Sequence, residues 1–182
     1  MSKLSPKALR AQTAKARLVL TDIDGVLTGG TIYHFVDTAG ELVEFKGIHS
    51  QDSIALAWLA KAGLRTGIIS GRISKGIEQR VKLLDMRYVY QHRLDKKAVF
   101  EEIVRDAAVA PHETLYIGDD LPDIPVLRAA GLAVAVGDAR PEVKAAAHWI
   151  TKADGGRSAV REVAELVLRA QGLWQDVLDR FS

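Results

Sequence analysis

Three apolar, β-prone runs in this 182-residue chain each break off into small and charged residues. Leu18-Val19-Leu20-Thr21 leads into Asp22-Ile23-Asp24-Gly25. Thr66-Gly67-Ile68-Ile69 leads into Ser70-Gly71-Arg72. Thr114-Leu115-Tyr116-Ile117 leads into Gly118-Asp119-Asp120-Leu121-Pro122-Asp123. In a parallel α/β sheet the carboxyl ends of the strands form the rim where ligands bind, so this pattern points to polar clusters gathered at one edge. Asp22 and Asp24 point the same way if the strand continues, and converge from two sides if it bends after Asp22, where Gly25 permits a sharp turn. Two adjacent carboxylates repel unless they share a cation or one holds a proton. A lone pair of this kind also fits acids at a helix N-terminus in a βα turn. The additional hydroxyl of Ser70, a lysine at Lys96 and the second acidic cluster make up a set suited to phosphoryl transfer.

Strand-like and helical patterns alternate, which predicts a parallel sheet flanked by helices. The strands are expected at Arg17–Thr21, Thr66–Ile69, Tyr88–Tyr90, Thr114–Ile117, Leu132–Val136 and Trp149–Ile150. The helices are expected at Ser53–Ala62, Ser74–Leu84, Lys96–Ala107, Pro122–Ala130, Pro141–Ala147 and Gly156–Gln171. Residues 31–45 read as a β-hairpin turning at Asp37–Gly40. The whole chain, 1–182, is expected to form a single domain, with a C-terminal tail over about 172–182. There is no cysteine, which excludes a disulfide framework and a thiol nucleophile. No apolar run approaches the roughly 20 residues of a membrane span, and the first ten residues lack the apolar core of a signal peptide, so a cytoplasmic protein without a membrane partner is expected. A net charge of +2 is too small to indicate nucleic acid, and the basic N-terminal arm (Lys3, Lys7, Arg10, Lys15, Arg17) reads as a solvated face or tail.

The ordered set Asp22-x-Asp24-Gly25-Val26, Ser70-Gly71-Arg72, Lys96 and Gly118-Asp119-Asp120-x-x-Asp123 resembles the haloacid dehalogenase-like phosphatases. Over roughly residues 12 to 173, including Tyr90-Gln91 and Gly155-Gly156-Arg157-Ser158-Ala159-Val160-Arg161-Glu162-Val163, the chain is similar to the members that act on 3-deoxy-D-manno-octulosonate 8-phosphate. The resemblance implies a Rossmann-like fold. Neither the stretch from Asp24 to Ser70 nor that from Lys96 to Asp119 can hold a separate cap domain of the usual size. A site without a cap either takes a macromolecular substrate or is closed by another subunit. The resemblance implies the second: a homotetramer whose hairpins pack together and whose sites are shared, a neighbour's C-terminal segment reaching in. Ile32, Tyr33 and Phe35 suit either that interface or packing of the hairpin on its own domain.

A phosphate monoester is a dianion, and Mg²⁺ would cancel its repulsion from an anionic nucleophile. Asp22 and Asp119 are the natural side-chain ligands, and the resemblance adds the backbone carbonyl of Asp24. Asp123 would bind a metal-bound water or hold the lysine; Asp120 reads as a helix cap. Asp22 would attack phosphorus to form an aspartyl-phosphate. Asp24 would protonate the leaving alcohol and then activate water. Ser70 and the Gly71 N–H would hold the transferring phosphate, with Lys96 as a fixed positive charge; Lys97 fits periodicity equally, and the family pattern selects Lys96.

For the substrate, Arg72 and Arg157 could grip a carboxylate, and Gln51 and Asp52 could cap the following helix and face the site. Gly155-Gly156-Arg157 matches the segment that relatives insert into an adjacent site. Where those sugar-acid phosphatases commonly show Asp-Gly-x-Gly, this chain has Asp52-Ser53-Ile54-Ala55. A small acidic sugar phosphate is the expected substrate, and the resemblance implies 3-deoxy-D-manno-octulosonate 8-phosphate. A nonulosonate 9-phosphate, a larger substrate and a non-catalytic regulatory role on the same fold stand as alternatives.

Overall fold

The computed structural model describes residues 2–182. In chain order the elements are α1 (Pro6–Thr13), β1 (Leu18–Thr21), β2 (Tyr33–Val36), β3 (Leu42–Phe45), α2 (Ser50–Lys61), β4 (Arg65–Ile69), α3 (Lys75–Leu83) and β5 (Tyr88–Tyr90). They continue with α4 (Lys96–Asp106), β6 (Thr114–Gly118), α5 (Ile124–Ala129), β7 (Leu132–Ala135), α6 (Pro141–Ala146), β8 (Trp149–Ile150), α7 (Ala159–Ala170) and α8 (Trp174–Leu178). Six strands form one sheet in the order β5-β4-β1-β6-β7-β8, every neighbouring pair parallel. All six expected strands are present, within a residue at each end.

β1 lies at the middle of this sheet and is buried along its whole length. The chain passes from β1 to β4 and β5 on one side, then crosses to β6, β7 and β8 on the other, so the strand order reverses beside β1. That is the crevice where open α/β sheets bind ligands. Leu18 pairs with Arg65 on one flank and Thr114 on the other, so the three strands end nearly level. Asp22, Ser70 and Asp119 follow directly, and the register places their side chains along one rim.

The core is made by apolar residues of the sheet packed under the helices. Leu18, Leu20, Ile68, Leu115, Ile117 and Val134 are almost completely buried, as are Leu56, Leu59, Val163 and Val167 from α2 and α7. A pleated strand covered on both faces must be apolar on both, which explains the unbroken apolar runs in the sequence. The expected α5 begins instead as a 3-10 turn, Leu121–Asp123, before the helix proper. The fold also contains two helices that the periodicity does not suggest. In α1, Ser5 caps the first turn by accepting from the Ala8 N–H, and Pro6 occupies the first helical position. In α8, Trp174 meets Trp58 of α2 edge-on at 5.7 Å, and Phe181 meets the same ring at 6.1 Å. The expected tail is therefore docked on its own chain.

β2 and β3 form a separate antiparallel hairpin, Tyr33 opposite Phe45 and Val36 opposite Leu42. Its turn is built by Asp37, whose Oδ1 accepts from the Ala39 and Glu41 N–H groups. Tyr33, Phe35 and Phe45 are about half exposed, with the Tyr33 and Phe45 rings stacked at 5.0 Å. Among the described residues, no helix is long and apolar enough to cross a membrane.

Candidate active site

The rim beyond β1, β4 and β6 holds a cleft of about 240 Å³, lined by Asp22, Asp24, Ser70, Gly71, Arg72 and Lys96 among others. The Asp22 N–H still donates to the Ile117 carbonyl, so the backbone is fixed by the sheet and the carboxylate stands just past its end. Gly25 turns the chain back with φ +93°; a Cβ there would fall 2.1 Å from Asp119 Oδ2. Glycine is thus required twice over, by the dihedral angle and by the approach of the second carboxylate. Ser70, almost fully buried, is placed by its N–H to the Tyr90 carbonyl, and its Oγ accepts from the Arg72 N–H at 3.2 Å.

Lys96 opens α4 and is nearly buried, its Nζ 3.0 Å from Asp22 Oδ1 and 2.7 Å from Asp123 Oδ1. Lys97 instead points outward to Glu101, so of the two lysines only Lys96 lies among the carboxylates. Asp123 is completely buried and saturated. Its Oδ1 accepts from Lys96 Nζ and the Tyr116 hydroxyl, both at 2.7 Å, and its Oδ2 from the Asp119 and Asp120 N–H groups. Of the two roles open to Asp123, this bonding matches holding the lysine. Asp120 caps the 3-10 turn with its side chain on the Leu121 N–H, as expected.

Ligand oxygens of Asp22, Asp119 and Asp123 lie within 4.8 Å of one another. Asp119 Oδ1 is buried and has no hydrogen-bond partner. An orphaned carboxylate oxygen beside a second carboxylate is costly unless a cation completes it, so Asp22 and Asp119 fit a hard divalent ion. The electrostatics agree. Burial, then the Asp123 charge, push the Asp22 carboxyl up to about 7 against the pull of Lys96. Burial, then Asp22 and Asp123, push Asp119 up to about 8. Lys96 is driven down by burial, but Asp22 and Asp123 outweigh this and leave it above its ordinary value.

These shifts carry a sign. The two carboxyls start from 3.8 in the unfolded chain, so between about pH 4 and 8 the metal-free fold binds more protons than the unfolded state. Stability of the EDTA-treated protein therefore falls as pH rises through that window. A bound divalent ion removes the repulsion, so its stabilisation should grow with pH. By thermal denaturation, saturating Mg²⁺ is expected to raise the midpoint by about 5 °C or more at pH 8.5 and clearly less at pH 5.5. An equal shift at both pH values would contradict this assignment.

Three groups escape the sequence reading. Lys46, just after β3, is buried; its Nζ lies 2.7 Å from Asp24 Oδ1 and donates to Oδ2 at 2.9 Å. Glu44, one pleat earlier, reaches Lys46 at 3.3 Å and Arg72 at 3.0 Å. Burial raises the Glu44 carboxyl, but the Arg72 hydrogen bond and the Lys46 charge outweigh it and leave it below its ordinary value. The third is Tyr116, whose strand is expected from the sequence but whose hydroxyl on Asp123 is not.

The expected substrate residues are divided. Gly71 and Arg72 line the cleft, Arg72 half exposed with its Nε 3.7 Å from Asp24. Asp52 does not face it. It is fully buried, and its two oxygens accept from the Ser158 and Arg161 N–H groups, capping the start of α7. A carboxylate neutralises unpaired helix donors well, which explains its burial. Gln51 is exposed and accepts from the Ser158 hydroxyl at 2.7 Å. Gly155-Gly156 is not a free segment: a Cβ on Gly155 would fall 1.7 Å from the Gly25 carbonyl, and one on Gly156 2.2 Å from the Gly29 nitrogen. This loop is wedged against the Asp24-Gly25 turn of its own chain, leaving the Arg157 side chain exposed.

Residues 85–162 match the haloacid dehalogenase-like hydrolase family. The 3-deoxy-D-manno-octulosonate 8-phosphate phosphatase of Yersinia pestis is 39% identical over 160 residues, covering 88% of this chain and 83% of that one. The enzyme of the same name from Escherichia coli K12 is 38% identical over 162 residues, covering 89% and 84%. The crystal structure of the Moraxella catarrhalis 3-deoxy-D-manno-octulosonate 8-phosphate phosphatase, in complex with magnesium, phosphate and KDO, superimposes with a TM-score of 0.91. It is 30% identical, covering 98% of this chain and 100% of that one.

Proposed function

This chain belongs to the haloacid dehalogenase-like hydrolases, in the family of the 3-deoxy-D-manno-octulosonate 8-phosphate phosphatases; from that premise we propose that it hydrolyses 3-deoxy-D-manno-octulosonate 8-phosphate in a magnesium-dependent reaction. The observation that carries this reading is the convergence of Asp22, Asp119, Lys96 and Ser70 on one cleft beside Asp24.

Asp22 is the nucleophile. Its oxygen bonded to Lys96 is oriented by that contact, and attack on phosphorus gives an aspartyl-phosphate. Asp24, two residues on and at the mouth of the cleft, gives its proton to the departing sugar oxygen and then takes one from water. Lys96, the Ser70 hydroxyl and the Gly71 N–H hold the phosphoryl oxygens where charge builds up. Asp123 and Tyr116 fix Lys96, so its charge costs no reorganisation during the reaction. Asp22, Asp119 and the Asp24 backbone carbonyl would hold a magnesium ion, which would neutralise the anionic nucleophile and ester. Arg72 meets the sugar carboxylate at the cleft mouth.

The exposed aromatic face of the hairpin supports a homotetramer in which hairpins pack together and each site is closed by a neighbour. Arg157 and Gln51, both exposed near that rim, are assigned to the substrate or to the neighbouring subunit.

Phosphate release across a panel of sugar phosphates, with Mg²⁺ and with EDTA, tests the assignment. Strong magnesium-dependent preference for the octulosonate ester is expected. Preference for a nonulosonate 9-phosphate would move the substrate but keep the chemistry. No release from any ester would overturn the reading in favour of a non-catalytic role.

A further inference from the structure

The hairpin reaches Asp24 directly through Lys46. Lys46 leaves β3 and turns inward, its side chain only 2% exposed, with its ammonium within 2.9 Å of both Asp24 oxygens. Glu44, on the same face of the strand, joins Lys46 to Arg72, and Arg72 returns to Asp24 at 3.7 Å. Asp24 therefore sits in a closed ring of four charges, two of them supplied by the hairpin. A buried lysine is costly to desolvate, and its ammonium is held here against the Asp24 carboxylate, whose backbone is pinned by a bridge to Thr28.

We infer that Lys46 is a positioning residue for Asp24, aiming the carboxyl group at the ester oxygen, and that the β-hairpin is thereby part of the catalytic apparatus. The inference rests on the reading of Asp24 as the group that protonates the leaving alcohol. In that step the phosphorus–oxygen bond of the ester breaks, the proton of the Asp24 carboxyl passes to the departing oxygen, and the carboxylate that remains is received by Lys46. Misplacing Asp24 should matter only where the leaving group needs that proton. A sugar alkoxide needs it; p-nitrophenolate leaves without it.

The test compares kcat/KM, which reports steps up to release of the alcohol, for an alkyl phosphate and for p-nitrophenyl phosphate. The alkyl ester is the best one found for the wild-type enzyme. Lys46→Met is expected to lower kcat/KM for the alkyl ester by about 10- to 100-fold and for p-nitrophenyl phosphate by less than about 3-fold. Asp24→Asn should show the same leaving-group pattern more strongly. Lys46→Arg, which can still grip a carboxylate with two donors, should restore most of the alkyl-ester activity. The double variant Glu44→Gln/Lys46→Met removes one charge of each sign, leaving Asp24 with Arg72, and serves if Lys46→Met fails to fold. Retained p-nitrophenyl phosphate turnover shows that each variant is folded.

An equal loss on both esters by a variant whose circular dichroism and cooperative melting match the wild type would overturn the positioning role while leaving the phosphatase assignment intact. Alkyl-ester turnover by Asp24→Asn equal to that of the wild type would instead overturn the acid–base reading on which the inference stands.

Discussion

Asp22→Asn is expected to lower phosphatase turnover by at least about 10⁴-fold, with the fold retained. An amide is too weak a nucleophile to form the acyl phosphate, whereas its shape matches the carboxylate and its oxygen can still accept from Lys96. The change also removes one charge from the cluster that lifts Asp119. The EDTA-treated variant should therefore be no less stable than the wild type at pH 8, because the repulsion within the site is smaller. Kinetics and thermal denaturation on the same preparation separate the two effects. Near-normal hydrolysis by a homogeneous variant would remove Asp22 from the nucleophile position; loss of both activity and folding would assign it a structural role.

Lys96→Met should be the most damaging single change to the site for stability. The side chain lies between two buried carboxylates, 3.0 Å from Asp22 and 2.7 Å from Asp123. Methionine fills similar space but leaves both acids without their shared cation. Removing one partner of a buried ionic cluster costs about 3–5 kcal/mol. That corresponds to a fall of roughly 6–20 °C in the thermal midpoint for a chain of this size. The deficit should be smaller at pH 5, where a proton can replace the lysine, and larger at pH 8. Activity should fall by about 10²–10³-fold or more, since a preorganised positive group on the transferring phosphate is lost. A variant within about 1 kcal/mol of wild type at pH 8, measured by denaturant unfolding, would contradict the role given to this triad.

The elements that are plainest in the sequence are those in which one physical rule dominates. The inner strands of the parallel sheet are largely apolar and buried on both faces, and each of the three functional runs ends at a turn residue or a charge, so both the strands and their ligand-binding ends are visible. Asp22, Asp24, Ser70, Lys96 and Asp119 stand out because their chemistry is unusual at a strand or helix terminus. Other residues are hidden by local rules that tertiary structure overrides. Lys46 and Glu44 read as ordinary charges on an exposed hairpin, and only the folding of the hairpin base against Asp24 buries them; their i, i+2 spacing on one strand face is the available signal. Tyr116 reads as core, which it is, and its hydroxyl acquires a role only because Asp123 folds back under β6. Asp52 beside Gln51 suggests a ligand, yet its partners are N–H groups of α7 that lie far along the chain. The Ser5-Pro6 start of α1 is legible as a cap but is masked by the basic residues around it.

In the mechanism above, Asp22 carries the phosphoryl group during turnover. The most direct measurement is a rapid acid quench of the magnesium-loaded enzyme during turnover of its best sugar phosphate, followed by borohydride reduction and peptide mass spectrometry. An acyl phosphate at Asp22 would be reduced to homoserine, and that modification is expected at Asp22 and at no other carboxylate. Rapid phosphate release with Asp22 unmodified at every quench time, under conditions that trap a chemically prepared acyl phosphate, would contradict it.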